Sequence, residues 1–327
     1  MVRLAATALA APALPGSGAL VGRGAGDSAE RRPRYALVDG SVETLWQRPL
    51  GESVKGLLFV AHGCTHQATD FFTDHGPDGW ELRECASSDF GRCLGLPEER
   101  QLVRAARERG YLVAAVSGTG ENRCWRAADV PRVEAALQHV LKAEGLGSKL
   151  PILAVGASSG GGFMGPLARG ALRGRLRCVV PQISDAKLSG SRTPALFMHM
   201  PRDTGTAARV RRRLEELRAQ GVRAAELPIA PVPVDAALLS KAMAPERAAE
   251  VVDALRRAGH LDKAGLLLED PRGSSWREAL AGVAPPGDSL AADESPLSEL
   301  LNVAWARHEL VGGRTREILD FCEGASH

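Results

Sequence analysis

Residues 151–162 read Pro-Ile-Leu-Ala-Val-Gly-Ala-Ser-Ser-Gly-Gly-Gly, an apolar run that ends in a cluster of glycine and serine. The residues at 160–172 carry apolar side chains at three- and four-residue spacing, which predicts a helix. Ser158 therefore stands on a tight turn between a buried strand and a helix. Gly156 and Gly160 flank it and let neighbouring backbone pass close by without a Cβ clash. The turn aims the first amides of the helix at the hydroxyl, where they stabilise negative charge.

The same alternation of strand and helix patterns extends along most of the chain. Apolar or β-branched runs predict further strands at 35–38, 44–46, 56–61, 111–116, 177–181, 194–199 and 223–229. Helical spacing lies between these runs at 97–109, 129–144 and 206–220. The first two runs turn at Asp39-Gly40, which predicts an N-terminal hairpin. The predicted fold class is therefore α/β, with a mainly parallel central sheet flanked by helices.

Three parts of the chain differ in pattern. Residues 34–230 and 300–324 are predicted to form the α/β core. Residues 231–299 hold helix-like segments separated by proline and glycine, which predicts a helical lid inserted over the sheet. Residues 1–33 are rich in alanine and leucine and lack an acidic residue before Asp27, which predicts a targeting segment or a disordered N-terminus. Secretion or the secretory pathway is the first expectation, and an organelle such as the chloroplast is the alternative.

Composition and motifs exclude several kinds of partner. The 327 residues carry 41 basic and 39 acidic side chains and a formal net charge of +2, so no strong field attracts nucleic acid. No run approaches the roughly 18 to 20 apolar residues of a membrane span, so we expect no integral membrane contact. His66, Asp70, Asp74 and His75 match no metal-ligand spacing, and no nucleotide-binding glycine motif is present. We expect neither a metal nor a cofactor, and the sequence predicts no oligomeric state.

The chain has an even number of cysteines, which lie at positions 64, 85, 93, 124, 178 and 322. Cys85 and Cys93 bracket a polar loop, which favours a hairpin closed by a disulfide in an oxidising compartment. Six unpaired thiols in a reducing compartment are the alternative, and the sequence leaves it open.

Two motifs resemble those of the α/β-hydrolase family. The run from Gly156 to Gly160 is similar to the family's nucleophile elbow, and it lies in the strand–turn–helix context that the elbow requires. The apolar run 57–61, followed by His62-Gly63-Cys64, resembles the strand ending in His-Gly that supplies half of the family's oxyanion hole. The resemblance spans roughly residues 35–322, and it implies the α/β-hydrolase fold.

A narrower resemblance rests on three stretches. The His-Gly-Cys turn, residues 93–99 and Cys124-Trp125 together are similar to a poorly characterised set of plant and algal α/β-hydrolase-like proteins. That resemblance implies the same fold and a secretory setting, and it implies no substrate.

The family resemblance also implies a catalytic triad in the chain order Ser, acid, His. Ser158 is the implied nucleophile. Asp203, in the loop after the predicted strand 194–199, is the implied acid, and Asp185, one strand earlier, is its competitor. His308, just before a predicted last helix, is the implied base. The stretch between Asp203 and His308 is much longer than the family's short connection, so spacing alone cannot check this pairing.

The resemblance assigns the oxyanion hole to the backbone amides of Cys64 and Ser159. It implies a serine hydrolase, either a carboxylic-ester hydrolase or a peptidase-like enzyme, that acts on an ester or related small acyl substrate. The Cys64 side chain is left available for a disulfide. The alternative is a catalytically inactive protein of the same fold that binds a small ligand or a protein partner, because fold does not fix function.

Overall fold

The computed structural model describes residues 32–76, 79–87, 92–283, 290 and 294–324. The predicted targeting segment, residues 1–33, lies outside the described residues except for its last two positions. No helix in these described ranges is long and apolar enough to cross a membrane.

Eight strands form one sheet in the order β1-β2-β4-β3-β5-β6-β7-β8. The strands are β1 Arg34–Val38, β2 Val42–Gln47, β3 Gly56–Ala61, β4 Tyr111–Val116, β5 Ile152–Ala157, β6 Leu176–Gln182, β7 Ala195–His199 and β8 Ala224–Pro228. Strand β2 runs antiparallel to both of its neighbours, β1 and β4, and all other pairs are parallel. The predicted N-terminal hairpin and mainly parallel sheet are therefore confirmed.

Helices cover both faces of this sheet. Helices α2 Val130–Ala143, α3 Ser159–Arg169 and α4 Thr204–Ala219 pack on one face through a single apolar cluster. Helices α1 Pro97–Glu108 and α9 Thr315–Glu323 pack on the other. Strands β3, β4 and β5 are buried at every position, as expected for central strands covered on both sides.

Between β8 and α9 the chain is helical and has an apolar core of its own. Its helices are α5 Ala236–Leu239, α6 Pro245–Arg257, α7 Trp276–Ala279 and α8 Pro296–Trp305. Trp276 is fully buried at the centre of this core, and its Nε1 donates a hydrogen bond to the Pro271 carbonyl at 2.8 Å. Helix α8 contributes Leu297 and Leu300 to the same core, so it crosses the predicted boundary between residues 299 and 300.

All six cysteines are paired. The disulfides are Cys64–Cys124, Cys85–Cys93 and Cys178–Cys322, so the predicted link across the polar loop is present together with two long-range links. Three disulfides in a domain of this size are typical of proteins from oxidising compartments.

Candidate active site

Ser158 follows β5 directly and precedes the first residue of α3. Its backbone has φ 52° and ψ −112°, which is a strained conformation for a residue with a side chain. The Ser158 amide donates to the Gln182 carbonyl at 3.0 Å, and the Ser158 carbonyl accepts from the Gly162 amide at 2.9 Å. These bonds hold the strained turn at the carboxyl end of the sheet, where α/β proteins place their ligands.

The glycines around Ser158 are required by close backbone approach. A Cβ on Gly160 would lie 2.4 Å from the Ala61 carbonyl oxygen and 2.5 Å from that of His62. A Cβ on Gly156 would lie 2.4 Å from the Gly160 carbonyl oxygen. The start of α3 therefore packs directly on the end of β3, which brings the Ser158 turn against the His-Gly-Cys turn.

The structure places Ser158, His308 and Asp203 in one hydrogen-bonded chain. His308 Nε2 lies 3.0 Å from Ser158 Oγ, and His308 Nδ1 lies 2.9 Å from Asp203 Oδ2. Because the carboxylate accepts at Nδ1, the neutral imidazole carries its proton there and Nε2 accepts from the serine hydroxyl. A serine hydroxyl, an imidazole and a carboxylate therefore lie in one line of hydrogen bonds.

Asp203 is held in place as an ionised group. Its Oδ1 accepts from the Thr206 amide at 3.0 Å, so the residue also caps the start of α4. Partial burial works against ionisation, but the hydrogen bonds from His308 and Thr206 outweigh it and hold the pKa of Asp203 below its ordinary value. The competing acid, Asp185, instead pairs with Arg209 at 3.2 Å on the surface.

His308 reaches Ser158 across a separation of 150 residues and Asp203 across 105. Helix α8 ends at Ala306 in the left-handed conformation (φ 55°), which turns the chain back toward the sheet. Arg272, from the helical segment, donates from Nη2 to the His308 carbonyl at 2.5 Å. The helical segment thus spans the long gap and also fixes the loop that carries the imidazole.

His62 organises the turn after β3 as a neutral side chain. Burial lowers its pKa to about 3, so Nε2 accepts from the Gly118 amide at 3.0 Å and Nδ1 donates to the Gly63 carbonyl at 2.6 Å. Trp125 Nε1 donates to the His62 carbonyl at 3.0 Å. These bonds make His62 a positioning residue for the turn.

Cys64 lies in the same turn and is tied to Cys124 by a disulfide. The next residue, Thr65, has φ 67° and donates its amide to the Asn122 carbonyl at 2.6 Å. A nucleophilic Cys64 thiolate is excluded by the disulfide. Gly63 faces the nucleophile, since a Cβ at Gly63 would lie 3.8 Å from Ser158 Cβ.

Near the His308 loop the structure buries a cluster of acidic side chains that no pattern in the sequence predicts. The carboxyl groups of Glu99 and Glu299 bond to each other, and Glu309 accepts from Asn302 Nδ2 at 3.0 Å. Glu99 is only 3% exposed. Two glutamates in the first turn of a helix ordinarily stabilise the helix while their side chains are exposed to solvent. The sequence therefore gives no reason to expect these side chains to be buried. Their burial is imposed by α8, which packs on α1.

The side chain of His66 interacts with this cluster. Its Nδ1 lies 2.9 Å from Oδ2 of the buried Asp70. Burial alone would lower the pKa of His66, but Asp70 together with the charges of Glu99 and Glu309 raises it to about 10. His66 is therefore an imidazolium at neutral pH, and its charge balances part of the acidic cluster.

Asp74 and His75, the other two candidate metal ligands, form a separate pair from His66 and Asp70. Asp74 binds the exposed His75 at 2.5 Å. Across the described part of the chain, no group of three or more metal-ligating side chains has a geometry that could hold an ion.

The Glu99–Glu299 pair predicts a pH-dependent stability. Burial raises the pKa of Glu99 to about 7 and that of Glu299 well above its ordinary value. The folded pKa exceeds the unfolded value, so the stabilisation is complete below about pH 4.3 and is lost as the pH rises through neutrality. We expect the free energy of unfolding to fall with rising pH by up to about 1.4 kcal/mol per pH unit for each of the two carboxyls, or about 2.7 kcal/mol per pH unit together.

Urea titrations of the wild type and the Glu99→Gln variant across this range measure the effect. The amide mimics the protonated carboxyl of Glu99 but leaves Glu299 to titrate, so the variant should lose about half of the slope. Glu250→Gln, at a glutamate that is 58% exposed, is the matched control and should keep it. A Glu99→Gln variant with the wild-type slope would contradict the raised pKa of Glu99.

No protein-family model matches the chain, and no curated protein matches it. Among solved structures it is similar to acylaminoacyl peptidase of Pyrococcus horikoshii, with 12% identity and a TM-score of 0.40, over 60% of this chain and 36% of that one. It is similar to Est1E from Butyrivibrio proteoclasticus, with 12% identity and a TM-score of 0.43, over 61% of this chain and 88% of that one.

A third similar structure is an α/β serine hydrolase without a lid from Xanthomonas campestris, with 13% identity and a TM-score of 0.40, over 61% of this chain and 84% of that one. Likenesses this distant carry no argument about activity or substrate. The strand order, the antiparallel β2 and the turn after β5 are features of the chain itself. Together they make this an α/β-hydrolase fold with a helical segment between β8 and α9.

Proposed function

We propose that the protein is a serine hydrolase that acts on an ester or related acyl substrate. The observation that carries the proposal is the position of His308, whose two ring nitrogens lie 3.0 Å from Ser158 Oγ and 2.9 Å from Asp203 Oδ2. A serine hydroxyl of ordinary acidity is a poor nucleophile, and a base within hydrogen-bonding distance is what activates it.

The reaction proceeds in two acyl transfers. Ser158 Oγ attacks the substrate carbonyl carbon while His308 Nε2 takes the hydroxyl proton, and Asp203 stabilises the imidazolium that forms. The tetrahedral intermediate collapses as the bond to the leaving oxygen breaks, and His308 gives the proton to that oxygen. Water then attacks the acyl-serine by the same steps, which releases the acid and returns the proton to Ser158.

The developing oxyanion is assigned to the backbone amides of Cys64 and Ser159. Ser159 is the first residue of α3, so its amide belongs to the unpaired N–H groups at the positive end of the helix dipole. Cys64 is anchored by its disulfide and lies one residue from Gly63, which faces Ser158. Loss of one such donor typically costs about two to three powers of ten in rate.

The helical segment containing α5 to α8 is proposed to act as a lid, because Arg272 connects it to the His308 loop. The three disulfides support a secreted or secretory-pathway protein. The specific resemblance to plant and algal hydrolase-like proteins adds no substrate to this proposal.

A fluorophosphonate probe tests the function directly, because it reacts covalently with an activated serine. We expect the wild type to be labelled, the Ser158→Ala variant to resist labelling, and the wild type alone to release p-nitrophenol from short p-nitrophenyl esters. A wild type that resists the probe, or a Ser158→Ala variant labelled equally well, would contradict the proposal and favour a ligand-binding protein without catalytic activity.

A further inference from the structure

A cavity of about 610 Å³ opens beside His308. Asp203, in the loop after β7, and His308 line it together with four residues of the helical segment and its end, which are Asp270, Arg272, Gly273 and Arg307. A space of this size suits a small ligand or one part of a larger one.

The carboxylates that line the cavity already have partners. Asp270 Oδ1 accepts from the Arg272 amide at 3.0 Å, and Asp270 Oδ2 accepts from Arg307 Nη1 at 2.7 Å. Asp203 is bound through both oxygens, by His308 and by the Thr206 amide. Each oxygen of both aspartates therefore already accepts one hydrogen bond from a neighbouring group.

The two guanidinium groups keep donor capacity. Arg272 uses Nη2 for the His308 carbonyl and for Glu309 Oε2, and Arg307 uses Nη1 for Asp270. Each guanidinium has five N–H donors in a planar fork. The side chains of Arg272 and Arg307 are 37% and 58% exposed, so the remaining donors are within reach of a molecule in the cavity. The cavity therefore presents positively charged hydrogen-bond donors to a ligand.

The mechanism decides which part of a substrate lies there. In the proposed function, on which this inference rests, His308 returns a proton to the leaving oxygen, so the leaving group must depart next to the imidazole. We propose that this cavity is a leaving-group subsite that selects esters whose alcohol portion carries a carboxylate. The planar fork of an arginine matches the two oxygens of a carboxylate.

The formal charges of the lining set the size of the effect. Two aspartates balance two arginines, so the cavity has no net positive charge, and selection comes from the unfilled donors. We therefore expect a modest preference, about fivefold in kcat/KM, in line with a partly exposed ion pair.

The test compares two esters whose leaving groups carry a carboxylate or the corresponding neutral amide, and each enzymatic rate is divided by the rate of alkaline hydrolysis of the same ester. Hydrolysis of 4-acetoxybenzoate releases a phenol with a carboxylate, and hydrolysis of 4-acetoxybenzamide releases its neutral analogue. The wild type should prefer the anionic ester about fivefold, and Arg307→Gln should reduce this preference to below about twofold. Arg256→Gln, at an arginine on α6 that is 54% exposed and paired with Asp253, is the matched control and should keep the wild-type preference.

A second pair of esters locates the effect. p-Nitrophenyl hemisuccinate carries its carboxylate on the acyl portion, and p-nitrophenyl butyrate is its neutral counterpart. A preference for the hemisuccinate with none for 4-acetoxybenzoate would overturn the leaving-group assignment. Equal hydrolysis of both acetoxy compounds by the wild type would overturn the subsite alone. A wild type that hydrolyses no ester and resists the fluorophosphonate would overturn the proposed function and the subsite together.

Discussion

Replacing His308 with glutamine is expected to lower kcat for p-nitrophenyl ester hydrolysis on the order of 10⁶-fold, and Asp203→Asn to lower it about 10⁴-fold. His308 is the only described base within hydrogen-bonding distance of Ser158 Oγ, so its loss leaves the hydroxyl unactivated. Asparagine at 203 keeps the shape of the acid, but it no longer fixes the imidazole proton on Nδ1 or stabilises the imidazolium.

Steady-state kinetics of the single variants and of Ser158→Ala/His308→Gln measure these effects. Because the residues act as a unit, the double variant should be no slower than the slower single variant. Asp185→Asn is the matched control for the acid, since Asp185 pairs with Arg209 instead of His308. An Asp185→Asn variant impaired as much as Asp203→Asn, or a His308→Gln variant of near wild-type activity, would contradict the assigned roles.

Gly160→Ala is expected to cost about 1 to 3 kcal/mol of stability and to lower kcat/KM about 10²-fold. The added Cβ would lie 2.4 Å from the Ala61 carbonyl oxygen and 2.5 Å from that of His62. Both oxygens belong to backbone at the end of β3, so they cannot rotate away, and the start of α3 must move instead. That movement displaces Ser158 and the Ser159 amide from the imidazole and from the turn after β3.

Gly162→Ala, two residues further along the same helix, is the matched control. Its Cβ would meet only Ser184 Oγ, at 3.7 Å, which is an ordinary contact. Alanine is favoured over glycine inside a helix, so this variant should gain up to about 1 kcal/mol and keep its activity within about twofold. Urea unfolding and ester hydrolysis compare the two variants. A Gly160→Ala variant that resembles Gly162→Ala in both assays would contradict the close packing of β3 on α3.

Local patterns in the sequence determined the fold and the place of Ser158. Strand and helix periodicity reports which side chains are buried, and the eight strands of the sheet fall within the predicted runs or within a few residues of them. The turn at Ser158 is formed by residues that are adjacent in sequence, and the glycines that flank it are required by the backbone geometry of that turn. The Cys85–Cys93 disulfide joins residues only 8 positions apart, so its pairing is also a local feature.

Features that join distant segments were decided by the tertiary structure alone. The sequence named Asp203 and His308 only by chain order, and their contact across 105 residues depends on how the helical segment packs against the sheet. The packing of α8 on α1 buries Glu99 against Glu299, and the packing of α9 on β6 links Cys178 to Cys322 across 144 residues. Periodicity reports whether a residue is buried, but it carries no information about which distant residue it meets, because that depends on the packing of whole elements.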